Sequence, residues 1–291
     1  MQYFIYIFAA FVILFLLVLA ESYRESRMFK TTRYQYNTEK LSGRRKIIFL
    51  SDLHNHVYGA DNKILLDSII YEKPDYILIG GDLIVGKPGA EVSLTAAFVK
   101  RLAEIAPVYY ALGNHEQRMK ECPEKYGMIM HDYIEDLSLE GIHFLQNESV
   151  LLKDRDGSFR VTGVELPMYT YDKFKLRKLH GELIKQCVGK PDRDTFQILL
   201  AHNPVYFSAY KEWGADLVLS GHLHGGIARI PGWRGVITPQ AFLFPKYSGE
   251  MTTEGKHTII VSKGLGTHTF NFRVFNHPEL VVLVLNGTMK R

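Results

Sequence analysis

Residues 46–54 read K-I-I-F-L-S-D-L-H, an apolar run followed at once by an aspartate and a histidine two residues apart. A short apolar run with β-branched members is typical of a buried strand. In extended backbone, residues i and i+2 point to the same side, so Asp52 and His54 can both reach one metal ion. Because open α/β sheets bind ligands beyond the carboxyl ends of their strands, the stretch predicts a metal site on such a sheet.

Four further clusters of this kind follow apolar runs later in the chain. They are Gly81-Asp82, Gly113-Asn114-His115-Glu116, Ala201-His202 and Gly221-His222-Leu223-His224. A single histidine is most often a satisfied structural residue, but five clusters at predicted strand ends are hard to explain as coincidence. We therefore predict one metal site built from several loops. The seven other histidines are interpreted as structural residues, although His56 and His268 are weak candidates for the rim of the metal site.

The donor atoms of these clusters indicate which metals the site would hold. Oxygen and imidazole donors without thiolate suit two divalent ions of Mn, Fe, Zn or Co, and we favour Mn. Asp82 follows Gly80-Gly81, where missing side chains let a metal centre approach the backbone, and its two oxygens can bridge two ions. The charge of the ions exceeds that of Asp52, Asp82 and a bridging hydroxide together, so the site can accept an anionic phosphate.

His115 follows the candidate ligand Asn114 and is expected to point past the metals. Its expected role is to hydrogen-bond a phosphate in the transition state or to protonate the leaving oxygen.

From Lys46 onward, short apolar runs alternate with helical patterns, as in a layered α/β domain with two sheets. The predicted strands are residues 47–51, 76–80, 107–112, 143–145, 150–153, 159–164, 196–201, 217–220, 258–262, 272–275 and 280–285. The predicted helices are residues 63–71, 91–104, 124–140 and 172–187.

The composition is that of an ordinary globular enzyme, with 46% hydrophobic and 23% charged residues among 291. The net charge of +4 is concentrated in residues 21–46, which carry eight Lys or Arg and three Glu, so residues 47–291 sum to −1. A domain without basic excess argues against a nucleic-acid partner. Cys122 and Cys187 lack C-x-x-C spacing and predict neither a zinc knuckle nor a disulfide framework.

Residues 3–20 form an uncharged apolar stretch with aromatic residues at its start. As a helix it would span about 27 Å, just enough for the hydrocarbon core of a membrane. A cleaved signal peptide is the main alternative, since Val18-Leu19-Ala20 is an acceptable cleavage site, but no Lys or Arg precedes the run. We predict an uncleaved transmembrane anchor over residues 1–20.

Basic residues follow the anchor at Arg24, Arg27, Lys30 and Arg33. By the positive-inside rule, they place the catalytic domain of this single-pass protein on the cytoplasmic side. Residues 21–45 are predicted to be a basic juxtamembrane linker, which either lies on anionic lipid head groups or is a solvated connector.

The five blocks together, D-x-H, G-D, G-N-H-E, a lone H and G-H-x-H, resemble the motif set of the calcineurin-like metallophosphoesterase superfamily. The resemblance covers residues 46–291 and implies a four-layer αββα sandwich with a dinuclear metal site. It also implies two ligand sets, which are Asp52, His54, Asp82 and His224 for one ion, and Asp82, Asn114, His202 and His222 for the other. His115 would be the catalytic histidine.

One position departs from the family pattern. The G-D block often continues as G-D-x-x-D, whereas Val85 fills the last position here. In the family that aspartate is not a metal ligand. The metal ligands would therefore be unchanged, and only the contacts that support them would differ. The anchor, the S-D-L-H block and Gly264-Leu265-Gly266 resemble most a membrane-associated bacterial branch. This branch includes phosphodiesterases and enzymes similar to UDP-2,3-diacylglucosamine diphosphatase.

Residues 229–247 follow the last metal motif and are expected to line the rim of the site. Their aromatic and basic members could contact a lipid, a base or a second phosphate: Arg229, Trp233, Arg234, Phe242, Phe244 and Tyr247. The alternative is an Ω-type loop that is packed by its own aromatic side chains. The sequence therefore does not identify the substrate-binding residues.

These observations predict a dinuclear metal-dependent phosphoesterase. It would hydrolyse a phosphate ester or diphosphate, lipid-linked in the favoured case, at the membrane surface through a metal-bridging hydroxide. One alternative is a membrane-tethered, non-catalytic scaffold with the same fold, but a scaffold would be expected to lose ligands or His115, and none is missing. A membrane-binding module acting through the basic linker is a third hypothesis.

Overall fold

Two six-stranded sheets, packed face to face, form the centre of the protein. The computed structural model describes residues 2–226, 229–230, 235–238, 242–267 and 272–288. The strands are β1 Lys30–Thr38, β2 Ser42–Leu50, β3 Tyr76–Ile79, β4 Val108–Tyr110, β5 His143–Phe144, β6 Glu148–Asp154, β7 Gly157–Val164, β8 Phe196–Ala201, β9 Leu217–Ser220, β10 Met251–Glu254, β11 His257–Val261 and β12 Glu279–Thr288. The first sheet has the order β1-β12-β2-β3-β4-β5 and the second β10-β11-β9-β8-β7-β6.

Eight α-helices are described, and five of them cover the outer faces of the sheets. The eight are α1 Gln2–Ser26, α2 Lys63–Glu72, α3 Ser93–Ala103, α4 Asn114–Glu121, α5 Pro123–Tyr126, α6 Ile129–Leu139, α7 Gly181–Val188 and α8 Phe207–Trp213. Helices α2, α3 and α6 pack on the first sheet, and α7 and α8 pack on the second. The predicted four-layer αββα fold is therefore confirmed.

The apolar runs of the parallel strands are continuous because both faces of each sheet are buried. In β2, Ile47 and Phe49 point into the layer between the sheets, whereas Ile48 and Leu50 point toward the helices. A strand covered on both sides is apolar at every position rather than at alternate ones.

The carboxyl ends of five strands meet at one end of the sandwich. In the first sheet β2, β3 and β4 are parallel neighbours, and in the second β8 and β9 are parallel neighbours. Parallel strands bring their carboxyl ends, and the loops that follow, to the same edge. This topology gathers all five motifs that the sequence singled out.

The segment expected to be a linker, residues 21–45, is instead part of the fold. Helix α1 continues to Ser26, β1 pairs with β12 along nine residues, and β2 begins at Ser42. The expectation of a coil is therefore wrong. The segment forms a strand because residues 30–38, K-T-T-R-Y-Q-Y-N-T, have a period of two, and Tyr34 and Tyr36 pack against the core between the sheets.

Three basic residues of this segment, and Lys46 just after it, pair with carboxylates of the domain. Arg45 is buried and contacts Asp154 at 2.6 Å, and Lys40 contacts Asp216 at 2.9 Å. Arg33 and Lys46 both contact Glu72. These side chains hold the segment to the domain, so they are not available to form a continuous lipid-binding surface.

Two predicted helices are shorter than expected. Residues 124–140 divide into α5 and α6 at Gly127, which has a φ of 70°. Residues 172–187 are helical only over α7, and Phe174 has a φ of 59°, which a right-handed helix does not accommodate. Residues 272–275, predicted as a strand, lie in a loop. Strands β1 and β10 and helices α4 and α8 were not predicted.

Helix α1 stands apart from the sandwich over most of its length. It has 25 residues, is long and apolar enough to cross a membrane, and its apolar side chains are exposed. Only its last turns contact the domain, where Ser22 and Glu25 are buried.

Candidate metal centre

The seven predicted ligands converge in the loops that follow β2, β3, β4, β8 and β9, and all seven are buried. Six of them, together with His115, form three groups, in each of which the donor atoms lie within 4.8 Å of one another. The groups are Asp52, His54 and His224; His54, Asp82 and His115; and Asp82, His202 and His222. Residues that lie far apart in the sequence and on two different sheets are thus brought together at one point.

The first group surrounds a single point near Asp52. The Nε2 atoms of His224 and His54 lie 3.4 and 3.8 Å from Asp52 Oδ1, and these two nitrogens are 3.2 Å apart. Ligands held at about 2.1 Å from an ion are separated by about 3–3.5 Å. The spacing of these donors therefore fits one metal ion.

Asp82 is a member of both the second group and the third. Its Oδ2 is 3.1 Å from His202 Nε2 and 3.9 Å from His54 Nε2. Asn114 contributes a buried Oδ1 that has no hydrogen-bond partner within the part of the chain that the structure describes. A buried polar atom without a partner is costly, and a cation beside it would remove that cost. The donor set present therefore fits two ions.

The electrostatics of the group favour bound positive charge. Burial raises the pKa of Asp52 to about 6. Burial acts against a charged His202 ring, yet the neighbouring carboxylates of Asp82 and Asp52 outweigh it and raise the pKa of His202 to about 10. The carboxylates thus attract a positive partner strongly enough to overcome desolvation.

Hydrogen bonds fix the orientation of the ligands. Ser51 Oγ donates to Asp52 Oδ2 at 2.6 Å, and the His222 N–H donates to Asp52 Oδ1 at 3.0 Å. His202 Nδ1 lies 2.7 Å from the Gly80 carbonyl oxygen. Because a carbonyl can only accept, Nδ1 carries a hydrogen, and Nε2 is the nitrogen that would face a metal ion.

Most of the ligands have an unusual backbone conformation. Positive φ angles of 54°, 49°, 55°, 67° and 51° occur at Asp52, His54, Asp82, His222 and His224. The extended geometry that we expected for the two D-x-H and H-x-H pairs is therefore wrong, although both pairs converge. Residues with a Cβ adopt this region at an energetic cost, and such strain concentrates at functional sites.

The glycines before Asp82 are required for close packing within the protein. A Cβ on Gly81 would lie 2.1 Å from the Gly113 nitrogen, and one on Gly80 would lie 2.5 Å from the Phe49 ring. These glycines make room for the neighbouring loop and for the core. They allow the loops carrying Asp82 and Asn114 to lie side by side.

Glu116 is a supporting residue to which the sequence assigned no role. Its fully buried carboxylate accepts the N–H groups of Asp82 and Leu83, both at 2.7 Å, and of Gly113 at 3.0 Å. It also accepts the Tyr110 hydroxyl at 2.9 Å. Glu116 thereby joins the two metal-binding loops. The signal that could have revealed it was a glutamate in the first turn of a helix, where it commonly accepts backbone N–H groups.

His115 lies beside the metal groups, with its ring centre 5.0 Å from that of His54. The Gly86 N–H donates to His115 Nδ1 at 2.8 Å, so in the neutral ring the hydrogen is on Nε2. Burial lowers the pKa of His115. The ring is therefore held as a neutral hydrogen-bond donor through Nε2.

The described residues of the 229–247 loop fit the packed alternative better than a phosphate-binding surface. Arg229 contacts Glu250 at 3.1 Å. The Tyr247 ring packs on Phe207 at 5.3 Å, and its hydroxyl donates to Glu254 at 2.6 Å. Phe244 is exposed. Trp233 and Arg234, and His268 elsewhere, lie outside the described residues.

Comparison with known proteins agrees with this geometry. Residues 45–226 match the model of the calcineurin-like phosphoesterase family. Phosphodiesterase YaeI of Escherichia coli is 29% identical over 247 residues, which are 82% of this chain and 82% of that protein. An uncharacterized metallophosphoesterase of Aquifex aeolicus is 28% identical over 289 residues, which are 92% of this chain and 96% of its relative.

The family match covers more than half of the chain and includes all five motifs and all seven converging side chains. Calcineurin-like phosphoesterases use a dinuclear divalent metal site, and the ligand groups described above fit one. The chain therefore belongs to the calcineurin-like phosphoesterase family and is a metal-dependent phosphoester hydrolase.

Proposed function

We propose that this enzyme hydrolyses a phosphate ester or diphosphate at the surface of a membrane, with two divalent ions held by the seven ligands. The observation that carries the proposal is the position of Asp82. It is a member of two ligand groups, one with His54 and one with His202 and His222. A carboxylate shared in this way is suited to hold two ions close together.

The ligands divide between the ions as the motif resemblance implies. One ion would be held by Asp52, His54, Asp82 and His224, and the other by Asp82, Asn114, His202 and His222. When bound, the ions would supply an activated water and hold the phosphoryl oxygens. Among Mn, Fe, Zn and Co we favour Mn, since the donors are oxygen and imidazole without thiolate.

His115 is the catalytic residue in this proposal. Its neutral ring carries a hydrogen on Nε2, because Nδ1 is occupied by the Gly86 N–H. From this position it donates a hydrogen bond to a phosphoryl oxygen, or passes its proton to the leaving oxygen. The Gly86 contact prevents the ring from turning and so fixes which nitrogen faces the substrate.

The scaffold alternative has less support. A scaffold does not need its ligands, whereas all seven are buried and converge here. The membrane-binding module acting through a basic linker also loses support, because Arg33, Lys40, Arg45 and Lys46 pair with domain carboxylates.

The activity is tested with the full chain, purified in detergent and loaded with Mn²⁺. We expect hydrolysis of at least one of three soluble probes, namely bis(p-nitrophenyl) phosphate, p-nitrophenyl phosphate and a nucleotide-sugar diphosphate. Prolonged dialysis against EDTA should abolish it, and re-addition of Mn²⁺ should restore it. A metal-loaded protein that cleaves none of the probes would favour the scaffold.

We also propose that α1 is an uncleaved anchor with the domain on the cytoplasmic side. The uncharged length of α1, followed by Arg24 and Arg27, supports this orientation. The protein should stay in the membrane fraction after alkaline carbonate washing, and external protease should leave the domain intact in whole cells. An N-terminus at Glu21 would show cleavage, and digestion from outside would reverse the orientation.

A further inference from the structure

The end of α1 is fixed to the domain by hydrogen bonds from one loop. The Arg273 N–H donates to Ser22 Oγ at 2.8 Å, and the Asn276 N–H donates to Glu25 Oε2 at 2.9 Å. His277 Nδ1 lies 3.0 Å from Glu25 Oε1. Because these contacts are buried, the last turns of α1 have a defined position relative to the domain.

The same loop contacts the metal centre on its other side. The Arg273 guanidinium donates to the carbonyl oxygens of Gly266 at 2.5 Å and Lys263 at 2.8 Å. Asn276 Nδ2 donates to the His224 carbonyl oxygen at 2.7 Å. Arg273 and Asn276 therefore connect the candidate membrane helix to the candidate metal ligand His224, and they fix the distance between the helix and this ligand.

A cavity of about 420 Å³ lies where α1 meets these loops. Leu19 and Tyr23 of α1 form one wall, and His56, Thr267 and Phe272 form the other. The last group belongs to the metal-site loops, since His56 follows the ligand His54 and Thr267 follows Gly266, whose N–H donates to the Asp52 carbonyl oxygen at 2.6 Å. The cavity thus lies between the candidate membrane helix and loops that also contact the metal centre.

The lining of the cavity is amphipathic. Leu19 belongs to the uncharged part of α1, and Tyr23 and Phe272 add aromatic surface. Arg27 also lines the cavity and lies over the Tyr23 ring, with its guanidinium carbon 4.4 Å from the ring centre. Ser22 and Ser26 also line the helix side of the cavity. The apolar and aromatic side chains at the end of the helix, beside the cationic group, match an alkyl chain that carries an anionic head group.

We propose that this cavity binds the alkyl chain of a membrane-embedded phosphate ester, with α1 as one wall of the substrate site. The chain would lie along Leu19 and Tyr23 while its phosphate reaches the metal centre. The volume is within the range of about 300–1,000 Å³ for ligand pockets. The proposal rests on the proposed hydrolase activity, and it makes α1 a determinant of substrate choice in addition to an anchor.

The test uses two phosphodiesters that differ only in one chain, ethyl p-nitrophenyl phosphate and hexadecyl p-nitrophenyl phosphate. Both have the same leaving group, so the ratio of their kcat/KM values reports the effect of the chain. Partition into the lipid is the same for every variant, so a change in this ratio between variants reports binding in the cavity. The full chain is assayed in lipid nanodiscs with Mn²⁺. Each buried CH₂ is worth about fourfold in affinity, so the wild-type enzyme should prefer the hexadecyl ester by at least tenfold.

Leu19→Trp should fill the cavity and lower this hexadecyl-to-ethyl ratio by about tenfold. Leu17→Trp is the matched control, because Leu17 is 62% exposed on the same helix and does not line the cavity. Phe272→Ala, on the opposite wall, should also lower the ratio. This variant provides the test if the Leu19→Trp protein does not insert into the membrane.

Three results would overturn the proposal. They are a wild-type enzyme without chain-length preference, cavity variants with an unchanged ratio, and an equal change in Leu17→Trp. An enzyme that cleaves a soluble probe but neither ester would also overturn it, whereas an enzyme that cleaves no probe at all contradicts the proposed hydrolase activity. The two failures are therefore distinguishable.

Discussion

Asp82→Ala is expected to abolish metal binding and hydrolysis together. Asp82 Oδ2 is within 4 Å of His202 Nε2 and of His54 Nε2, which belong to different ligand sets. The substitution removes one ligand from both ions and one buried negative charge from a site that binds cations. Removing a single electrostatic stabiliser of a transition state costs about 10²–10³ in kcat, so loss at a shared ligand should cost at least 10³-fold.

The measurement is metal content by mass spectrometry beside kcat on bis(p-nitrophenyl) phosphate. Metal should fall from about two ions per chain to fewer than one. Asp82→Asn is a useful second variant, because it keeps the size of the side chain and an oxygen that can accept the His115 N–H. Asp67→Ala is the control, since Asp67 is an exposed carboxylate on α2 that pairs only with Lys63 among the contacts described. Full metal occupancy in Asp82→Ala would exclude Asp82 as a shared ligand.

Some parts of the fold were readable from the sequence because burial imposes a simple pattern. Strands β8 and β9 were predicted with their observed bounds, since a strand covered on both faces is a continuous apolar run between polar residues. The motif at the end of each strand then indicated which edge carries the site. The rule that ligands gather at the carboxyl ends of parallel strands turned separate motifs into one site.

Strand β1 was not recognised because its chemistry resembles that of a polar linker. It lies at the edge of its sheet and pairs only with β12 among the described strands. An edge strand tolerates polar and charged residues, and such residues lie on either side of Tyr34. Because the segment carries many charges, its alternation of polar and apolar residues was not recognised in the sequence. Its basic neighbours Lys40 and Arg45 have carboxylate partners more than 100 positions away, which no local pattern can indicate.

The conformation of the ligands could not be predicted for a related reason. Asp52 and His222 adopt positive φ angles because long-range contacts hold their loops, including the hydrogen bond from the His222 N–H to Asp52. Local preference disfavours this region, so a sequence-based argument selects extended backbone instead. The contact of Ser22 with Arg273 likewise joins two segments 251 residues apart.

His115→Ala is expected to keep both metal ions and to lose most turnover. The ring is not in either ligand set that the motif resemblance implies, and the backbone N–H that donates to Asp82 Oδ1 at 2.8 Å remains in the variant. Loss of a positioned proton donor typically costs about 10²–10⁴ in rate. Metal content and kcat are measured side by side, and His131→Ala, an exposed histidine on α6, serves as the control.

A second substrate separates the two roles that His115 can have. An alkyl ester has a more basic leaving oxygen than p-nitrophenolate and depends more on protonation as the bond breaks. If His115 protonates the leaving oxygen, His115→Ala should lose at least tenfold more activity on the alkyl ester, within the range of general acid catalysis. An equal loss on both substrates would instead indicate a hydrogen bond to a phosphoryl oxygen. Turnover within twofold of wild type on both substrates, or loss of metal, would refute the assignment of His115 as the catalytic histidine.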